Sequence, residues 1–168
     1  MKTSRAGVLA LIACVAGLVG CDHATKLAAE TSLRDHAALA VVPGVVDLSY
    51  TENRGVAFSA LERLSLHPPA WALVAMALAM TAAVVVAWAR RRGAPWPVHV
   101  GFALLVGGAL GNAIDRLARG HVVDFIHVRF WPVFNVADVL VVAGIAWLML
   151  VRVRRSVPQG AGPDPRGG

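Results

Sequence analysis

The chain has 168 residues, 57% of them hydrophobic and only 15% charged, with a mean hydropathy of +0.63. Soluble domains carry fewer apolar and more charged residues, so the composition indicates one integral membrane unit, residues 1–155, with no room for a second sizeable domain. The net charge of +6 does not point to nucleic acid, because Lys and Arg cluster at the ends of apolar runs and are not interleaved with aromatics.

A membrane-crossing helix needs about 20 residues. The first apolar run, residues 6–21, follows Lys2 and Arg5 and is 16 residues long. It spans a bilayer only by extending through Asp22 and Lys26, which gives a predicted span of 6–26. Cys14 and Cys21 lie seven residues apart on this helix, a rise of about 10 Å that no disulfide bridges. Cys14 is expected to pack within the span.

The first loop, residues 28–69, is long enough for structure of its own. Its stretch 39–50 is rich in β-branched residues and broken by Pro43-Gly44, which predicts a small hairpin or sheet. The second span, 70–89, is entered by Pro68-Pro69 and stopped by Arg90, Arg91 and Arg92. The third apolar run, residues 98–111, must extend through Asn112, Asp115 and Arg116, giving 98–117. The fourth, residues 136–151, already contains Asp138 and starts near Asn135, giving 135–152. The tail 156–168, rich in Pro and Gly, is expected to be disordered.

The sequence therefore predicts a mainly α membrane protein with four transmembrane helices and a small extracytoplasmic β-rich loop between the first two. All three polar extensions fall on one side of the membrane. With both termini inside, Lys2, Arg5, Arg90–Arg92, Arg152, Arg154, Arg155 and Arg166 face inward against Asp164 alone, a charge of +8 inside and −2 outside. The positive-inside rule then puts both termini in the cytoplasm and the polar ends outside.

Asp124 and Asp138 are the two most informative residues. Each adjoins or lies inside an apolar segment, where an ionised carboxylate is costly and therefore usually functional. Two carboxyls close together share a proton, leaving one as base and the other as acid. That pattern predicts water-activating hydrolysis at a membrane surface.

The bland readings are concrete. Asn112, Asp115 and Arg116 fall at i, i+3 and i+4, as an ion pair at a helix end would. Asp22 and Lys26 have i, i+4 pairing distance. Asn135 and Asp138 have the spacing of an N-cap and its N3 partner. Asp124 has no such local explanation among Val122, Val123, Phe125 and Ile126. His121, Asp124 and His127 do not make a metal site by spacing alone, no HExxH is present, and no G-x-S-x-G elbow exists.

Five motifs occur in order: Asp22-His-Ala-Thr-Lys26, Asn53-Arg-Gly-Val-Ala-Phe-Ser59, Gly111-Asn-Ala-Ile-Asp-Arg116, Gly120-His-Val-Val-Asp-Phe125 and Phe134-Asn-Val-Ala-Asp138. Together, over residues 8–150, they closely resemble the bacterial lipoprotein signal peptidases, also called signal peptidase II. The resemblance implies an aspartic endopeptidase of the bacterial inner membrane that removes signal peptides from diacylglyceryl-modified prolipoproteins, cutting before the lipidated cysteine. It implies a catalytic dyad of Asp124 and Asp138, with no metal or cofactor. It further implies supporting roles for Asn53, Asn112, Asp115, Arg116 and Asn135, while Asp22 and Lys26 fix the outer end of the first helix. Partners are the prolipoprotein substrates and membrane lipid, with no nucleic acid, and the protein is expected to act as a monomer. One position departs from the family: Arg54 replaces the small hydroxyl residue common after the Asn of the first-loop motif.

Two alternatives remain open at this point. Leu18-Val-Gly-Cys21 after a basic start and an apolar run matches a lipobox, so the chain could itself be a lipoprotein processed at Cys21. A non-enzymatic four-helix protein, a small transporter or an assembly factor, would use the polar cluster as an ion path.

Overall fold

The computed structural model describes residues 4–55 and 69–156. Residues 56–59 of the first-loop motif, the rest of that loop to 68, and the tail 157–168 lie outside the described residues, as do Lys2, Asp164 and Arg166.

Helix α1, Arg5–Leu33, is capped by Ser4, whose Oγ accepts from the Gly7 amide at 3.2 Å. It runs seven residues past its expected end at Lys26, because Leu-Ala-Ala-Glu-Thr-Ser-Leu holds neither Gly nor Pro to stop it. At 29 residues it is about 43 Å long, more than the roughly 30 Å of bilayer hydrocarbon. Residues 28–33, expected in a loop, are thus the helix's projecting end.

Helix α2 covers Ala70–Ala89, as the Pro and Arg boundaries predict. Helix α3, Trp96–Arg119, starts with Pro97 in its first turn and ends on Gly120, whose φ of +76° suits a left-handed C-terminal stop. Helix α4 is Val136–Ser156. Among the described residues, three helices (Arg5–Leu33, Trp71–Ala89 and Trp96–Arg119) are long and apolar enough to cross a membrane. Their outer surfaces fit that role: Leu9, Ile12, Trp71, Met80 and Val86 are all exposed, which costs little in lipid and much in water.

Helix α3 is the centre, packed against each of the other three helices. Glycines allow the close approach. A Cβ on Gly111 would lie 2.5 Å from Asp22 Oδ2, one on Gly107 would lie 3.0 Å from Leu18, and one on Gly108 would collide with the Ala137 carbonyl. Trp88 Nε1 donates to His99 Nδ1 at 2.9 Å and His99 Nε2 lies 3.1 Å from the Ala94 carbonyl, which pins the α2–α3 turn.

The expected hairpin forms from β1, Leu39–Val42, and β2, Val46–Asn53, around Gly44 at φ +72°. The sheet is not confined to the first loop, however. A third strand, β3, Val122–Val128, joins β2 antiparallel in the order β1-β2-β3. The register sets Thr51 opposite Asp124 and Asn53 opposite Val122. The sheet leans on the projecting end of α1, where Ala29, Leu33 and Phe125 are buried with Leu48, Tyr50, Ile126 and Val136 around them.

Candidate active site

Asp124 reaches the site on β3 and Asp138 on the first turn of α4. Chain reversal between them turns at residues 128–131, where the Trp131 amide donates to the Val128 carbonyl at 2.8 Å. It is closed where the Phe125 and Ile126 amides both donate to the Phe134 carbonyl, at 3.0 and 2.8 Å. Asn135 then caps α4 reciprocally. Its Oδ1 accepts from the Asp138 amide at 3.0 Å, and its own amide donates to Asp138 Oδ2 at 3.3 Å. The capping geometry expected from spacing is present, and it orients Asp138.

The cap residue also joins the two carboxyls. Asn135 Nδ2 donates to Asp124 Oδ1 at 2.6 Å and to Asn112 Oδ1 at 3.1 Å. Asn112 Nδ2 donates to Asp138 Oδ1 at 2.8 Å. On the far side, Asn53 Nδ2 donates to Asp124 Oδ2 at 2.8 Å while Asn53 Oδ1 accepts from the Gly55 amide at 3.0 Å. Each carboxyl is held by neutral amides, which orient it without adding charge.

Asp124 is 2% exposed and Asn135 0%, whereas Asp138 is half-buried. Burial pushes the Asp124 carboxyl up from 3.8 to about 6, and the neighbouring Asp138 charge adds to the rise. Hydrogen bonds from Asn53 and Asn135 and the positive charge of Lys26 oppose it. A carboxyl with that affinity keeps its proton into the mildly acidic range, well above an ordinary aspartic acid.

Behind the pair lies a buried ion cluster. Lys26 Nζ sits 2.8 Å from Asp22 Oδ2 and 2.8 Å from Asp115 Oδ2, and donates to Asn112 Oδ1 at 3.0 Å. The i, i+4 pairing of Asp22 with Lys26 is therefore present, but as part of a larger set. Asp22 Oδ1 accepts from the Ala137 amide at 2.8 Å, and Asp115 Oδ2 from the Val123 amide at 3.4 Å. The ion-pair partner of Asp115 is Lys26. Arg116 instead donates to the Gly55 carbonyl at 3.1 Å, tying α3 to the end of β2.

All nine site residues expected from the sequence (Asp22, Lys26, Asn53, Asn112, Asp115, Arg116, Asp124, Asn135 and Asp138) thus belong to one connected region. Arg54 stands apart, exposed, with Nη2 2.8 Å from Glu52 Oε2. Glu52 also lies 3.4 Å from Arg34 and 3.8 Å from His121, and His127 lies 3.9 Å from Asp47. No group of three or more His, Cys, Asp or Glu side chains among the described residues is arranged to hold a metal ion.

Sequence reasoning missed three backbone groups, the amides of Val123 and Ala137 and the carbonyl of Gly55. It also missed the strand carrying Asp124. The run Val122-Val-Asp-Phe-Ile-His-Val128 is β-branched and aromatic enough to have signalled that strand.

The profile of the signal peptidase (SPase) II family matches residues 14–154. Relatives include the lipoprotein signal peptidase of Syntrophotalea carbinolica, 36% identical over 94% of this chain and 98% of that protein. The one of Allorhizobium ampelinum is 41% identical over 77% of this chain and 78% of its own length. A solved structure described as a bacterial membrane enzyme superposes with a TM-score of 0.77 at 23% identity, over 97% of this chain and 98% of that one, and shares the fold.

Proposed function

Since this chain belongs to the signal peptidase II family, we propose that Asp124 and Asp138 carry out the family's reaction in this protein. The protein is an integral membrane peptidase of aspartic type that removes signal peptides from prolipoproteins. The observation that carries the site assignment is the amide bridge, in which Asn135 and Asn112 bond Asp124 and Asp138 from one side. That arrangement leaves Asp138 half-buried and more accessible than Asp124.

The substrate is a diacylglyceryl-modified prolipoprotein, cut before the lipidated cysteine. An ionised carboxylate takes a proton from water as the water oxygen attacks the scissile carbonyl carbon. The protonated carboxyl polarises the carbonyl oxygen. Collapse of the tetrahedral species breaks the C–N bond, and the departing cysteine nitrogen takes a proton from the dyad. The products are the signal peptide's carboxylate and a new amino terminus.

Three supporting roles follow from the contacts. Asn53 orients Asp124 from β2, Asn112 orients Asp138 from α3, and Arg116 anchors Gly55 at the edge of the segment leading to the substrate loop. Helix α4 is the fourth span, so both termini are cytoplasmic and the sheet and site lie at the outer face of the bacterial inner membrane. Residues 1–155 form one membrane domain, working as a monomer in contact with lipid.

The alternative that Cys21 is a processing site is disfavoured by place. Asp22 and Lys26 are buried in the ion cluster on the same helix, and cleavage at Cys21 would sever α1 at the edge of that cluster. The test is cleavage of a diacylglyceryl-modified prolipoprotein by purified protein in detergent, read by mass spectrometry. A product beginning at the modified cysteine is expected. Intact substrate in the presence of folded protein would contradict the function.

A further inference from the structure

Lys26 is 0% exposed, inside a helix that crosses the bilayer, and touches neither reacting carboxyl. A buried ion cluster is a poor device for stability alone, since apolar side chains of similar volume serve as well or better. Its contacts suggest another purpose, because all three lead to the dyad by different routes. Through Asp22 it holds the amide of Ala137, the residue before Asp138. Through Asp115 it holds the amide of Val123, the residue before Asp124. Through Asn112 it reaches the Asp138 side chain itself.

We propose that Lys26 is the positioning residue of this peptidase, setting the separation and orientation of Asp124 and Asp138 from behind. The inference rests on the reading of those two residues as the reacting pair. An ammonium group has donors only, so Asn112 must turn Oδ1 toward Lys26, which leaves Nδ2 to face Asp138. The same Oδ1 accepts from Asn135, so one cation orders both bridging amides. Asp124 and Asp138 sit on β3 and α4, two elements joined only by a short turn. The Lys26 cluster supplies a common reference point on α1 and α3 for both.

The charged groups facing the dyad are Lys26 and Asp22 from α1 and Asp115 and Arg116 from α3, while β2 presents the neutral amide of Asn53. Lys26→Met removes a positive charge that favours the ionised form of Asp124 and leaves Asp22 and Asp115 uncompensated, so Asp124 holds its proton more tightly. The double variant Lys26→Met/Asp115→Asn removes one charge of each sign, restoring the wild-type charge balance without restoring the tether.

The experiment measures kcat, KM and the pH–rate profile of wild type, Lys26→Met and the double variant on one diacylglyceryl-modified prolipoprotein. Misplacing reacting groups by an ångström costs about 10²-fold in rate, so kcat is expected to fall by that order in both variants with KM little changed. The pH profile should move to higher pH in Lys26→Met and return in the double variant. A folded variant of either kind with wild-type kcat overturns the inference while leaving the function in place. Wild-type protein that fails to cleave overturns the function, and the inference with it.

Discussion

Asn135 is at once the cap of α4 and the link between the two carboxyls: the amide nitrogen that lies 2.6 Å from Asp124 belongs to the side chain whose oxygen caps the Asp138 amide at 3.0 Å. Folding the first turn of α4 therefore brings the pair together. The residue that starts the helix also fixes where the two carboxyls meet.

Asn135→Ala removes both functions. Loss of an N-cap costs about 1 kcal/mol, and the loss is larger here because Asp124 also loses a buried donor. Asn135→Asp keeps an oxygen for the cap but places a third carboxylate against Asp124. Thermal unfolding in detergent should separate the two, with the Ala variant markedly destabilised and the Asp variant less so, while both lose most of their peptidase activity.

The raised affinity of Asp124 for its proton has a sign that can be checked. A carboxyl at about 6 in the folded protein against 3.8 when unfolded contributes stability that is fully present below pH 3.8. That contribution is lost as pH rises through 6. The full span is about 3 kcal/mol at 1.36 kcal/mol per unit. Asp124→Asn lacks this dependence, so its melting temperature relative to wild type should climb between pH 5 and pH 7.5. A constant difference over that range would contradict the assigned environment.

Gly111 and Gly17 provide a matched pair on packed and lipid-facing positions. A Cβ at Gly111 meets the Asp22 carboxylate, whereas one at Gly17 meets nothing within 4 Å. Gly111→Ala should destabilise by about 1–3 kcal/mol through overpacking and disturb Asp22, lowering activity. Gly17→Ala should leave the rate unchanged and hold or raise the melting temperature, because Ala is the better helix former.

Much of this was legible from the chain. The span of α2 follows from Pro68-Pro69 and Arg90–Arg92, and the site from polar residues that short apolar runs force to one end. The hairpin was visible in Pro43-Gly44. Other features depend on long-range pairing that local pattern does not encode. β3 is seven residues long and becomes a strand by pairing with β2, some 70 residues earlier. The extension of α1 to Leu33 was hidden because polar Asp22 and Lys26 resemble a span end. They are buried by partners on α3 and α4 that the spacing within α1 does not reveal.

Membrane orientation is open to a direct chemical check. In a background lacking Cys14 and Cys21, cysteine at Asp35, just past α1, should react with an impermeant thiol reagent from outside intact cells. Cysteine at Gly93, between α2 and α3, should react only after the membrane is opened. The reverse pattern would invert the topology and move the site to the cytoplasmic face.

The central claim is that Asp124 and Asp138 act as one catalytic unit, and single-turnover cleavage of a diacylglyceryl-modified prolipoprotein tests it most directly. Wild type, Asp124→Asn, Asp138→Asn and the double variant are compared at equal folded concentration. Members of a cooperating unit are each needed, so either single change is expected to lower the single-turnover rate constant by several orders of magnitude, with the double variant little worse. Substantial cleavage by either folded single variant would contradict the dyad.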